Sequence, residues 1–400
     1  MSDELEIKNY SQELANESGF SGVESDDECI DEEYENSEPF SPDSISISTK
    51  TIALDTVLRR LKNNTIKLAP DFQRSFVWDM TRKSRLIESM ILRIPLPMFY
   101  VSEDENGTWE VVDGLQRLTT IQDFILGPDH DGKGDKLKNL EFWNDTLSGK
   151  DFFMLVRDIK ATRIVNNILE TELSFTIINP NTPEKVKRNI FKRINTGGMR
   201  LSEQEIRHAL YQGKATNFLR DLALCPEYLF ATGGTIKDDR MAGRELILRF
   251  LAFNIFGYEN FKGDMDSFLS DAMLAINEEK PGIGYNIDIV QLAEIFKVGL
   301  IRASRLFSEH SFRKSLPGDL RKAPINKSLF ECWINILSAI DEDDFSRLEK
   351  NINFFLHDYH ELMNDMSFSN SISRYGSSST GSMERYAKIL NLVSTHSKGY

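Results

Sequence analysis

The stretch WEVVDGLQRLTTIQDFI, residues 109–125, changes character at one point. Before Asp113 an apolar, aromatic-rich run reads as a strand, and after Gly114 the residues Leu118, Ile121, Phe124 and Ile125 mark one buried face of a helix. A strand that passes straight into a helix leaves the first backbone N–H groups of that helix without intrahelical partners, which makes the junction a ready anion site. Here Gln116 and Arg117 stand in its first turn. The same residues also suit an ordinary turn, because Asp-Gly is a common turn pair, Asp is a good cap, and a first-turn Arg can face water while adding little to the core.

Working outward, MFYVSEDENGTWEVV reads as a hairpin turning at Asn106-Gly107. Upstream, TRKSRLIESMILRI sets Leu86, Ile87, Met90, Ile91 and Ile94 on one helical stripe that Pro95 and Pro97 stop. Ile52, Val57 and Leu61 sit near helical spacing, and the extended stretch TIKLAPDF follows them. Downstream, residues 127–151 are rich in Gly, Asp and Lys and read as a surface insertion, after which ELSFTIINP resumes as a strand. A helix is expected from Thr182, with Pro183 at its first position, to Gly197. Ser202 and Glu205 have capping-box spacing. Beyond about residue 215 strand signals fade, and apolar stripes recur at 244–256, 265–277, 289–307, 328–340 and 345–362. The fold class expected is α+β, a small mixed sheet with helices over residues 47–215, followed by an all-α domain over 216–400.

The net charge of −14 is unevenly placed. Residues 1–46 hold 15 of the 62 acids and a single base, Lys8, so the remaining chain has 47 charges of each sign. That segment has too few large apolar side chains to offset the entropy of ordering it, and it reads as a disordered acidic tail, dispensable for folding. It is expected to act as a solubilising leader, the alternative being an arm that competes with DNA or a nucleotide for a basic groove. No basic-plus-apolar leader opens the chain, and no apolar run approaches the ~20 residues of a membrane span. Cys29, Cys225 and Cys332 are few and far apart, giving neither a disulfide framework nor a CxxC metal site. A cytoplasmic protein without membrane contact is expected.

Two further stretches bear on the junction. PDFQRSFVW, residues 70–78, holds Gln73 and Arg74 between Phe72 and Phe76, an amide and a guanidinium whose rotamers neighbouring rings would fix. FKRINTGGMRLSEQE, residues 191–205, puts Arg193 and Asn195 at a helix end before a Gly-Gly turn that allows close backbone approach. Together with the junction, these stretches resemble the N-terminal domain of the GmrSD type IV restriction enzymes, whose hallmark is Asp-Gly-Gln-Gln-Arg after a strand. The resemblance is close through residues 52–126, returns at FKRINTGGMRLSEQEIRHAL, and continues more weakly through DDRMAGRELILRFLAF and APINKSLFECW.

The resemblance implies a ParB- and sulfiredoxin-like sheet in which the strand-to-helix turn grips phosphate, followed by a helical part. It also implies nucleoside triphosphate hydrolysis linked to recognition of foreign, often modified, DNA. Carried onto this chain, Gln73, Arg74, Gly114, Arg117, Arg193 and Asn195 bind the nucleotide; Asp113, Gln116 and Arg117 are the catalytic candidates, and Asp113 holds Mg2+ or another divalent cation. The chemistry is coherent, since phosphoryl transfer needs cations along the developing charge, a carboxylate-held metal and a group to orient water. There is no GxxxxGK[ST] loop, so this is not a P-loop enzyme.

Leu115 stands where the family has its first Gln. If that amide is essential the chain binds nucleotide and turns it over poorly; if it only packs, Leu serves. Complete enzymes of the family also carry an HNH-type nuclease rich in His. Of the six His here, His130, His208, His310 and His396 are scattered, and His357 with His360 more simply forms a solvated helical face than a metal site. The function expected is a nucleotide-dependent, DNA-sensing subunit of a restriction or phage-defence system whose nuclease is a separate protein. The alternative is a non-catalytic ParB-like DNA-binding regulator or adaptor.

Overall fold

The computed structural model of the chain describes residues 21–24, 46–68, 78–128, 132–194, 202–236, 240–277 and 287–397. They fall into two units, one spanning Ser37–Leu201 and one combining Ser202–Tyr400 with Met1–Asn36. The first is α+β and the second is helical. The division at 201/202 assigns the capping-box helix, which the sequence reading grouped with the sheet, to the helical unit.

The sheet has five strands in the order β1-β5-β3-β4-β2. Strand β1 (Ile47–Ala53) runs antiparallel to β5 (Glu172–Ile178), and β5 is parallel to β3 (Phe99–Glu103), with Phe99 beside Phe175. Strand β3 is antiparallel to β4 (Trp109–Asp113), which is parallel to the two-residue β2 (Ile66–Lys67). Helices α1 (Leu54–Lys62), α2 (Met80–Ile91) and α3 (Leu115–Ile125) alternate with these strands. The short α4 (Asn144–Leu147) and α5 (Phe152–Arg157) lead to α6 (Thr162–Leu169), and α7 (Glu184–Ile194) follows β5.

Most of this arrangement follows the apolar pattern. In α3 the residues Leu115, Leu118, Ile121, Phe124 and Ile125 are each at most 8% exposed, and burying each contributes roughly 1.5–3 kcal/mol. The hairpin forms where Asn-Gly stands, although its five-residue loop is organised by Asp104, whose carboxylate accepts from the N–H groups of Asn106 at 2.9 Å and Thr108 at 2.8 Å. Two expectations change. Ile52 belongs to β1, where it pairs with Leu173; this strand is mostly exposed, so it carries no hydrophobic alternation for the sequence to reveal. Within the supposed surface insertion, Leu137, Leu140 and Leu147 are buried, and Glu88, itself buried, accepts from the N–H groups of Glu141, Phe142 and Trp143.

In the helical unit α8 (Glu203–Leu210), α9 (Lys214–Ala223) and α10 (Pro226–Ala231) precede α11 (Ala242–Phe256), α12 (Met265–Ile276), α13 (Ile289–Phe307) and α14 (Lys327–Ala339). The apolar stripe at 345–362 is two helices, α15 (Glu342–Lys350) and α16 (Ile352–Asn364), broken at Asn351; α17 (Met366–Ile372) and α18 (Ser379–Ser397) complete the unit. Among the described residues no helix is long and apolar enough to cross a membrane.

A chain of buried charges crosses this helical core. Arg207 bonds Asp266 at 2.6 Å and Gln204 at 2.9 Å; Glu245 lies 3.0 Å from Lys327 and 3.7 Å from Arg249; Arg249 and Arg385 share the carboxylate of the fully buried Glu331. Burial opposes the charge on Glu245, but Lys327, Arg207 and Arg249 together hold its carboxyl at about 2, against an ordinary 4.5. A depressed carboxyl value stabilises the fold fully above the unfolded value and loses that contribution as pH falls through the folded one.

Part of the expected free tail is docked. Val23 forms a parallel bridge with Ile325, Glu24 N–H donates to Ile325 O at 2.8 Å, and the Glu24 carboxylate meets Lys314 at 2.7 Å and the amide of Asn326. Ser46, at the expected tail's end, is also committed: its carbonyl accepts from Asn179 N–H at 2.9 Å and from the Thr182 hydroxyl at 3.1 Å.

Two outcomes follow from these contacts. The helical unit should lose about 2 kcal/mol between pH 5 and pH 3 through Glu245, seen as a falling urea midpoint, and Glu245→Gln should flatten that slope; an unchanged slope would remove Glu245 as its cause. A chain beginning at Ser46 should melt a few degrees below the full chain in calorimetry, by loss of contacts worth roughly 1 kcal/mol or more, and Lys314→Ala in the full chain should reproduce part of the drop. Identical melting would mean that residues 21–24 add nothing to stability.

Candidate functional site

Strand β4 ends at Asp113, and the chain enters α3 through Gly114 at φ +93°, a left-handed conformation that strains any residue with a Cβ. Space makes the same demand, since a Cβ at Gly114 would lie 2.4 Å from the Phe99 ring and 3.0 Å from the Arg117 guanidinium. A glycine at the cap position supplies no side chain to the first N–H groups of α3, and the first turn holds no acidic residue. The cap residue and the first turn of α3 thus supply none of the Ser, Thr, Asp or Glu side chains that usually neutralise the positive end of a helix dipole.

Arg117 occupies a different place from the one its sequence position suggests. Its Nη2 donates to Asp113 Oδ2 at 2.9 Å and to Met98 O at 3.1 Å, its Nη1 donates to Pro97 O, and its guanidinium lies 4.4 Å from the centroid of the Phe99 ring. The side chain is only 11% exposed. Burial pushes the guanidinium below its ordinary value, and the Asp113 carboxylate opposes that fall. The expectation that this Arg adds little to the folded unit is therefore corrected: it ties the turn to the chain just before β3.

Asp113 is half-exposed, with one carboxylate oxygen bonded to Arg117. Gln116 Oε1 accepts the backbone N–H of Trp78 at 3.3 Å, which brings the end of the PDFQRSFVW stretch to the turn. Leu115 is 6% exposed, so position 115 directs its side chain into the core. The structure thus gathers Asp113, Gly114, Gln116 and Arg117 in one turn. Arg193 is exposed in the last turn of α7, and Gln73, Arg74 and Asn195 lie outside the described residues. Sequence reasoning missed Phe99 and the carbonyls of Pro97 and Met98; backbone acceptors leave no residue-type signal, although the Pro-Leu-Pro run before β3 marks a constrained segment. Among the described residues His357 is grouped with Asp358 and Glu361 rather than with His360: their ligand atoms lie within 4.8 Å of one another, on a largely exposed helix face where Asp358 is also bonded to His396 at 2.9 Å.

Arg117→Ala should destabilise the α+β unit by roughly 2–4 kcal/mol, because it strands two carbonyls and a carboxylate that now accept from a charged donor. Arg117→Lys should recover part of the loss, lacking the planar fork that reaches three acceptors. Urea unfolding checks both, and an unchanged midpoint for Arg117→Ala would show that the clamp carries no stability.

Residues 56–212 match the family model of the GmrSD restriction endonuclease, N-terminal domain. No curated protein and no solved structure matches the chain. The matched span begins in α1, ends past α8 and contains the whole Asp113–Arg117 turn with its partners at 97–99. Residues 56–212 of this chain are a domain of the GmrSD N-terminal family.

Proposed function

We propose that the chain is the nucleotide-binding, DNA-sensing component of a restriction or phage-defence system, with a ParB- and sulfiredoxin-like α+β unit whose β4–α3 turn holds the phosphates of a nucleoside triphosphate. The observation that carries the reading is the left-handed Gly114 at the start of α3, a cap residue that brings the backbone close and offers the first N–H groups of the helix no side chain of its own, beside Asp113 and Arg117. In this reading those amides bind phosphate, Arg117 adds positive charge from behind the turn while holding it in place, and Gln73, Arg74, Arg193 and Asn195 form the facing wall.

Magnesium takes one or two carboxylates and completes its shell with phosphate oxygens and water. Asp113 fits that role with the carboxylate oxygen that Arg117 does not use. The ion would supply neutralisation of phosphate charge. In this reading Gln116, whose Oε1 accepts from the Trp78 N–H, orients the attacking water. The inward side chain of Leu115 supports a turn whose chemistry does not depend on an amide at 115.

A second reading, a non-catalytic regulator that holds phosphate without turnover, is favoured by one observation: the Arg117 guanidinium is already engaged with three protein oxygens. Nucleotide binding and phosphate release by the full chain, with and without Mg2+, separate the two. The leading reading expects Mg2+-dependent release that Asp113→Asn reduces at least tenfold, and Gly114→Ala should abolish binding. Tight binding without release would favour the regulator, and absence of nucleotide binding would reject both. A nuclease acting alongside this chain is the partner expected.

A further inference from the structure

An open groove of about 870 Å³ lies on the α+β unit, away from the turn in sequence, between the C-terminal end of α2 and helix α6. Its volume is in the range of about 300–1,000 Å³ in which small ligands are held. We propose that this groove takes an unstacked nucleotide of DNA, with Trp143 stacking on the base, Asn166 bonding the base edge, and Lys160 and Arg163 holding the flanking phosphates. The inference rests on the DNA-sensing reading above and gives it a surface.

The apolar part comes first. Ile159 is 90% exposed and Trp143 is 36% exposed in the groove, and Phe142 and Val156 beside them in sequence are 69% and 56% exposed. A soluble surface seldom leaves such a cluster open without a ligand for it. The backbone under the indole is fixed. The main-chain N–H of Trp143 donates to Glu88 at 3.0 Å, and Glu88 is a buried carboxylate that also fixes the two preceding residues, so the backbone carrying the ring is pinned to α2.

Charge selects the ligand. The ionisable residues of the lining are Arg93, Lys160, Arg163 and Glu170. Arg93 and Glu170 satisfy each other at 3.0 Å, which leaves Lys160 and Arg163, both exposed and with no salt bridge among the described residues. Lys160 feels the Asp158 carboxylate, which is itself bonded to Lys150 at 3.2 Å, and Arg163 adds a second exposed cation; two such cations beside an exposed indole are the combination that tracks a phosphate backbone while a base stacks.

The polar lining divides in the same way. Asn167 is spent on the wall, accepting from Arg93 Nε at 3.0 Å and donating to Ile91 O at 2.9 Å. Asn166, exposed next to it, has no side-chain partner among the described residues and presents a donor and an acceptor together, the pair an amide uses to read a base edge. A base stacked within a duplex cannot enter such a groove, so the ligand is a nucleotide already out of the stack. The segment that forms one lip, Ile91–Arg93, continues to Pro97 and Met98, whose carbonyls accept Arg117, so groove and turn bear on one short stretch of chain.

The test uses the full chain, a fluorescein-labelled single-stranded oligonucleotide and its duplex, across a range of salt. Single strand should bind more tightly than duplex and quench tryptophan emission, and the quenching should vanish in Trp143→Phe. Lys160→Ala with Arg163→Ala should weaken single-strand binding at least tenfold at low salt. It should also reduce the slope of log affinity against log salt by about 1.4, at ~0.7 per lost phosphate contact. Asn166→Ala should weaken binding without changing that slope. Nucleotide binding at the turn and the melting temperature should be unaltered in all three. If wild type binds DNA and the double variant binds it equally with the same slope, the groove is overturned while the DNA-sensing reading stands. If wild type binds no DNA, the DNA-sensing reading fails and takes the groove with it. Quenching of Trp143 by free nucleoside triphosphate but not by oligonucleotide would overturn the assignment to DNA.

Discussion

The clamp made by Arg117 is the contact on which the α+β unit depends. Its guanidinium closes one end of a column of buried rings that runs across the three central strands: Phe99 of β3 stacks on Phe175 of β5 at 5.2 Å, and Phe175 meets Trp109 of β4 at 5.3 Å. A second cation closes the other end, with Arg60 of α1 3.8 Å from the Trp109 ring while its Nη2 donates to Gly107 O at 2.7 Å. Each cation over a ring contributes about 0.5–2 kcal/mol. The larger consequence is geometric, because one column fixes the hairpin at one end and the β4–α3 turn at the other. A disturbance of the turn is therefore felt in the sheet core.

The helical unit holds its charges differently. Glu331 is fully buried between Arg249 and Arg385, and Glu245 gathers Lys327, Arg249 and Arg207. Such pairs cost desolvation that their attraction only partly returns, so a set of apolar side chains of equal volume would serve stability as well or better. What the charges do supply is register. Each carboxylate accepts only where its arginines arrive together, which fixes α11 against α14 and α14 against α18 more narrowly than interchangeable apolar contacts do.

The parts of this structure legible in the sequence are those set by local period. The stripes at 244–256, 265–277, 289–307 and 328–340 correspond to helices within a residue or two at each end, because a helix with one buried face must repeat its apolar residues. The hairpin and the β4–α3 junction were legible for the same reason. Strand β1 was not, since an exposed edge strand shows no alternation, and neither was the docking of Gly22–Glu24, where a backbone bridge and one ion pair do the holding within a segment whose composition reads as solvated. The role of Arg117 lay beyond sequence because two of its three acceptors are backbone carbonyls, which every residue type possesses.

The spacing in Asp113-Gly114-Leu115-Gln116-Arg117 can now be argued position by position. Asp113 and Arg117 are four residues apart and face each other across the first turn, so moving either by one residue breaks the 2.9 Å bond. Gly114 is required between them by its positive φ and by the Phe99 ring against it. Position 115 points inward, where Leu packs as a core residue, so its identity answers to the interior. Gln116 remains, partly exposed at the turn and bonded to the backbone of Trp78. Structural demands thus account for Asp113, Gly114 and Arg117 before any ligand is considered, and the geometry they impose sets at the start of α3 a glycine that has no side chain to offer the first N–H groups.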